Sequence, residues 1–357
     1  MKEETIKEKI LLLSGVLLYR AKRQISDMTM KYISVPLKLN RDYKRYTDSN
    51  RVKVHVNPQV VENINNSFDK SKILSINYFS NAILNFLDVL EREFPKFLLR
   101  NFYDNIEHIS INKVQKIIKN KKINGRYRFY DNIIDLDDNS VSSIYHELFH
   151  LASTRVSGKY CYSGFLVYDK HHRQSIGRGI NEGYTQLLTE RYFGGEKTKH
   201  FLWDNYGMKA TKRIVGGSYS FQVFICSKLE EIVGKTNMEK LYLTANLYDL
   251  VNILSKFSNK NSTEEFLSNM DFLHENLKYV YLLSYDGNVD KIKTVFIKTC
   301  KFLIDCYKMK LNIEVKDGLS NSKKDLMLKK FINSLSNCYD KYFEVYDYNK
   351  SNLKRKK

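Results

Sequence analysis

The stretch that decides this chain reads SVSSIYHELFHLAST, Ser140 to Thr154. Val141, Ile144, Tyr145, Leu148 and Ala152 recur at helical spacing, which predicts a helix over 140–152 with one apolar stripe. Asp137, Asp138, Asn139 and Ser140 ahead of it are residue types that cap helix N-termini. His146 and His150 stand four apart and so project side by side from another face. Ser143, Ser153 and Thr154 share that face, which reads as polar and open. Two neutral imidazoles at this spacing can grip one Zn²⁺ at about 2.0–2.1 Å each. Glu147, beside the first histidine, then stands where a carboxylate can take a proton from a metal-activated water. The run fits the pattern H-E-x-x-H at all three fixed positions.

Two histidines leave a third ligand to find. Asp169 lies 19 residues beyond His150, with His171 and His172 just after it, and Glu182 lies 32 beyond, in GRGINEGYTQLLTERYFGG. Glu182 is the preferred choice. It falls in the first turn of a predicted helix from about Ile180 to the Gly194-Gly195 stop. Ile180, Tyr184, Leu187, Leu188 and Tyr192 form the inward stripe of that helix. Glu182, Thr185, Gln186 and Thr189 share the opposing face, and Gly183 permits close helix approach. The competing reading of Glu182 is an ordinary helix N-terminal glutamate favoured by the macrodipole.

Further out, Asn124-Gly125 is a strong hairpin-turn signal, followed by RYRFY at 126–130 and a second turn at Asp131-Asn132 before Ile133–Leu136. These pieces predict a small antiparallel sheet of two or three strands. A strand is also expected within 164–168. Ile73 to Leu99 reads as two helices broken at Pro95. The only prolines are Pro36, Pro58 and Pro95, so the C-terminal two thirds lack the strongest helix breaker. Helices are expected across 219–283, 291–307 and 323–346. The fold class expected is α+β, a zincin-like core with a small antiparallel sheet, a motif helix and a glutamate helix, followed by a mostly helical C-terminal part. The division expected is 1–105, a mixed N-terminal region, 106–275, the catalytic domain, and 276–357, a helical region with a basic tail.

HELFH followed by INEGYT resembles the gluzincin metallopeptidases, including thermolysin-like enzymes and the zinc aminopeptidases, over roughly residues 132–195. The resemblance implies a peptidase with His146, His150 and Glu182 as ligands of one Zn²⁺ and Glu147 as general base. It implies that the strand Ile133–Leu136 lines the cleft and pairs with an extended peptide substrate. It also implies a Tyr or His that stabilises the oxyanion; His200 and Tyr192, with Tyr219, are the candidates. A metzincin is excluded, because Ser153 and Val156 stand where its Gly and third His would be. Where thermolysin-like enzymes carry an aspartate four residues after the ligand glutamate, this chain has Gln186, so Glu190 or Asp169 becomes the candidate carboxylate behind a ligand histidine. The glycine-rich exopeptidase signature is missing, which favours an endopeptidase. The alternatives are a catalytically inactive protease-like binding protein and a narrow-specificity regulatory peptidase of a mobile element.

Composition narrows the partners. The formal charge is +19 over 357 residues, but Lys is spread evenly and only the tail ending KRKK concentrates it, which argues against a nucleic-acid footprint. Five cysteines without CxxC spacing fit neither a disulfide framework nor a zinc ribbon and point to a reducing compartment. The apolar run ILLLSGVLLY, 10–19, is too short to span a bilayer and lacks signal-peptide flanks, so it reads as a buried or amphipathic helix in a cytoplasmic protein. His55, His108 and His274 stand singly and read as structural or surface residues.

Overall fold

The computed structural model describes residues 51–53, 82–83, 85–106, 109–113, 125–136, 141–171, 174–193, 219–277 and 289–355. The apolar run 10–19, the cap residues 137–140, Gly194-Gly195, His55, His108, His172 and His200 lie outside them.

The first sheet has the order β1-β2-β4-β3, from Arg51–Lys53 (β1), Ser110–Lys113 (β2), Gly125–Arg128 (β3) and Ile133–Leu136 (β4). β3 and β4 form the expected hairpin, with Tyr127 opposite Ile134. Two expectations change. The sheet has four strands, and β2 pairs with β4 in parallel, so it is mixed rather than antiparallel. And β4 is an interior strand held on both sides, which leaves β1 and β3 as the edges among the described strands. A strand with both ladders filled offers no backbone groups to a peptide.

A helix over 85–93 ends before Pro95, a 3₁₀ turn covers Lys96–Leu99, and α2 spans Arg100–Ile106. Proline stops the first helix as expected, because the residue before it is pushed out of the α region. We call the 85–93 helix α1. The motif helix α3, Val141–Ala152, buries Ile144, Leu148, Phe149, Leu151 and Ala152 completely. Phe149 meets Phe86 edge-on at 4.9 Å, and burial of each such ring contributes about 1.5–3 kcal/mol.

Four strands then form an antiparallel meander: β5 Thr154–Ser157, β6 Tyr160–Ser163, β7 Leu166–Asp169 and β8 Gln174–Ile176. It returns the chain from the end of α3 to the start of α4, Arg178–Phe193. Because α4 begins at Arg178, Glu182 sits beyond its first turn. The anionic capping role belongs instead to Asp271, whose two carboxylate oxygens accept the Gly177 and Gly179 N–H groups at 2.9 Å each.

Helices then follow as α5 Ser220–Val233, α6 Lys235–Leu243, α7 Leu247–Phe257, α8 Lys260–Asn276, α9 Val289–Lys316 and α10 Asn321–Arg355. α4 lies directly against α5 because Gly183 has no side chain: a Cβ there would sit 2.5 Å from the Gln222 carbonyl carbon. One hydrophobic cluster runs through these elements from Ala82 to Phe343. The molecule is α+β and mostly helical, and among the described residues no helix is long and apolar enough to cross a membrane.

Candidate metal centre

Three ligand-type atoms converge where α3 faces α4. His146 Nε2 lies 3.1 Å from His150 Nε2, and Glu182 Oε2 lies 3.3 and 3.5 Å from the two nitrogens. For bonds of about 2.0–2.1 Å, the edge of a coordination tetrahedron is about 3.3–3.4 Å. The triangle therefore has the dimensions of one face of such a tetrahedron, and the group can hold a metal ion. Helical spacing places the two imidazoles, and packing of α4 on α3 brings in the carboxylate.

The outer ring nitrogens test the fit. His146 Nδ1 lies 3.0 Å from Gln186 Oε1. An amide carbonyl only accepts, so the ring carries its proton on Nδ1 and turns the Nε2 lone pair towards the triangle. His150 Nδ1 lies 3.4 Å from Thr185 Oγ1 and 3.3 Å from Asn181 Nδ2. The Thr185 hydroxyl donates to the Asn181 carbonyl at 2.7 Å, so its oxygen can accept from His150. The donor set, two imidazoles and one carboxylate with a fourth side left over, suits a borderline cation rather than a hard one.

Electrostatics follow the geometry. Burial pushes the Glu182 carboxyl up, but the charges and hydrogen bonds of the two imidazoles more than offset this and hold it well below the usual carboxylate range. Burial pulls His146 down, and the Glu182 hydrogen bond with the Glu147 and Glu182 charges reverses the direction to a net rise. Glu147 moves up, because burial outweighs the pull of the imidazoles.

Glu147 is held against the edge strand. Its Oε2 accepts the Tyr127 N–H of β3 at 2.6 Å. Gly125 makes room: a Cβ at that position would stand 3.0 Å from Glu147 Oε1. The sequence marked Gly125 only as a turn residue, and nothing in its local pattern announces contact with a carboxylate 22 positions later. The face expected to be open is closed, with Ser153 and Thr154 fully buried and both histidines less than 8% exposed. The Thr154 hydroxyl donates to the His150 carbonyl, and the meander covers it.

The remaining candidates separate clearly. Tyr219, at φ 79°, stacks on His146 at 5.6 Å and on His274 at 5.7 Å, making a three-ring pile over the ligands. The Glu182 charge, then burial and the Glu147 charge, push its phenol well above the ordinary range. His274, read as an isolated residue, is thus part of the site's roof. Tyr192 points elsewhere, because its hydroxyl donates to Glu239 Oε1 at 2.8 Å and its ring packs on Phe94. Asp169 is occupied with Lys159 and the His171 N–H rather than with a ligand histidine.

Comparison of the chain with protein-family models, with curated proteins and with solved structures returns no match. The functional reading therefore rests on the residues themselves.

Proposed function

We propose that the chain is a zinc-dependent metallopeptidase, an endopeptidase of the gluzincin kind, with His146, His150 and Glu182 as ligands and Glu147 as general base. The observation that carries this reading is the 3.1–3.5 Å triangle of His146 Nε2, His150 Nε2 and Glu182 Oε2, with a buried carboxylate one residue from the first ligand. When bound, zinc supplies the Lewis acidity that makes water nucleophilic near neutral pH and polarises a carbonyl.

The chain's own groups do the rest. Glu147, raised by burial, accepts the proton of the attacking water and delivers it to the leaving amine nitrogen. The cleft strand is β3 rather than the expected β4, because among the described residues β3 is the outer strand of the sheet that lies against α3. An extended peptide aligned there hydrogen-bonds backbone to backbone. The Tyr219 phenol, already among the ligands, takes the oxyanion-donor role in place of Tyr192.

Glu147→Gln tests the reading. Zinc binding, followed by competition with a chelating indicator, should be retained, while peptide hydrolysis falls by about 10²–10⁴. Undiminished hydrolysis would overturn the general-base role. Stoichiometric zinc with no cleavage by the parent chain across a broad peptide and protein panel would favour the protease-like binding protein instead.

A further inference from the structure

The polar residues of α4 fall into two rows at i, i+4 spacing. Asn181 and Thr185 face His150, while in the row Glu182, Gln186 and Glu190 the first residue meets both rings and the second faces His146. The second row continues past the ring: Gln186 Nε2 donates to Glu190 Oε1 at 2.9 Å. We propose that Glu190 is a positioning residue, which fixes the flip state of the Gln186 amide and through it the tautomer of His146. This assignment rests on the metal-site reading above.

The argument is one of donor and acceptor identity. A glutamine side chain is nearly symmetric in shape, so turned over by 180° it would offer its NH₂ group to His146 Nδ1. The ring would then have to accept at Nδ1 and carry its proton on Nε2, in the middle of the ligand triangle. A carboxylate only accepts, so Glu190 can meet Gln186 only through the NH₂ end. The carbonyl end is thereby turned to His146, the ring proton is held on Nδ1, and the Nε2 lone pair is left for a cation. Two residues in series thus supply what a single aspartate would supply directly. His150 is held differently: its Nδ1 faces the Thr185 oxygen at 3.4 Å and, at 3.3 Å, the NH₂ end of Asn181, whose Oδ1 accepts the Phe165 N–H.

The test compares Glu190→Gln with the exchanged pair, Gln186→Glu together with Glu190→Gln, in the full chain. Two readouts are used: ¹⁵N imidazole shifts of His146 in zinc-free protein, at a pH where the ring is neutral, and zinc affinity by chelator competition. The parent chain should show the Nδ1–H form. Glu190→Gln, an isosteric change, lets the Gln186 amide turn over; His146 should become a mixture of tautomers and zinc should bind about tenfold more weakly. The exchanged pair restores the direction of the relay, since the amide then at position 190 donates to a carboxylate at position 186 that can only accept from His146. Both readouts should return towards those of the parent, with His150 shifts unchanged as an internal reference. An unchanged His146 tautomer in Glu190→Gln would overturn the proposal. So would a loss of affinity that the exchanged pair fails to recover, since that is the behaviour of a residue that merely supports α4. If the parent chain takes up no zinc while the tautomer responds as described, the relay stands and the metal reading falls.

Discussion

The two walls of the site hold their residues in different ways. On the helix wall, α4 grips the ligands with side chains at close to fixed positions, through the Glu182 contacts, Gln186 on His146, and Thr185 and Asn181 on His150. On the strand wall, β3 meets Glu147 through one backbone N–H and a space left by a glycine. Many side-chain bonds fix a position, whereas one backbone bond holds a carboxylate that, in the proposed mechanism, must still move a proton. The difference divides labour: the helix wall should govern metal affinity and stability, and the strand wall should govern turnover.

The largest effect that tests this division is Gly183→Ala. The new Cβ would stand 2.5–2.6 Å from the Gln222 backbone and Cβ, so α4 must retreat from α5. Overpacking of this kind costs about 1–3 kcal/mol, and backbone neighbours that cannot yield place it near the upper end. Chemical denaturation should show that loss, together with weaker zinc binding. A stability loss that leaves zinc affinity intact would show that the wall positions its ligands independently of its seat on α5.

Next in size is the carboxylate that caps α4. Burial, the largest influence, pushes Asp271 from its ordinary 3.8 up to about 6, against the pull of the Gly177 and Gly179 N–H bonds. Between those values the folded chain binds the proton more tightly than the unfolded chain. The stability contributed by this group is therefore full below pH 3.8 and is lost as pH rises through about 6. The span of the shift corresponds to about 2–3 kcal/mol. Asp271→Asn removes the titration, so the stability of the parent minus that of the variant should fall by this amount across the window. A flat difference would mean that Asp271 is better solvated than its surroundings indicate.

The helix wall was also the legible one. His146, Glu147 and His150 announce themselves by spacing, and the stripe of Ile180, Tyr184, Leu187 and Leu188 correctly turns Glu182 and Gln186 towards them. Gln186 could be seen only as a missing aspartate, because whether an amide can replace a carboxylate depends on what holds its far end. The meander of β5 to β8 was mostly unreadable for a physical reason. Its strands are three or four residues long, and Tyr160–Ser163 is buried at every position, so no alternation of polar and apolar residues marks it. The order of the first sheet was hidden because β2 pairs with β4 in parallel, across a long separation that local turn signals do not encode.

The smallest predicted effect probes the strand wall most directly. In Gly125→Ala the added Cβ would lie 3.0 Å from Glu147 Oε1, 3.1 Å from Ser143 Cβ and 3.2 Å from Glu147 Cγ. These contacts are tight but not forbidden, and the Glu147 carboxyl end can yield by a few tenths of an ångström. None of the three ligand atoms is touched, so zinc affinity should stay within about twofold of the parent, against the 10–100-fold typical of changes that do reach a ligand's support. Turnover should fall about tenfold, since a displacement of about 1 Å at a reacting group can cost 10²-fold and this one is smaller. The fall should appear in kcat rather than KM, because in the proposed mechanism the shifted group handles a proton and does not hold the peptide. If zinc affinity fell in step with turnover, the two walls would act as one unit, and the division between holding the metal and moving the proton would be lost.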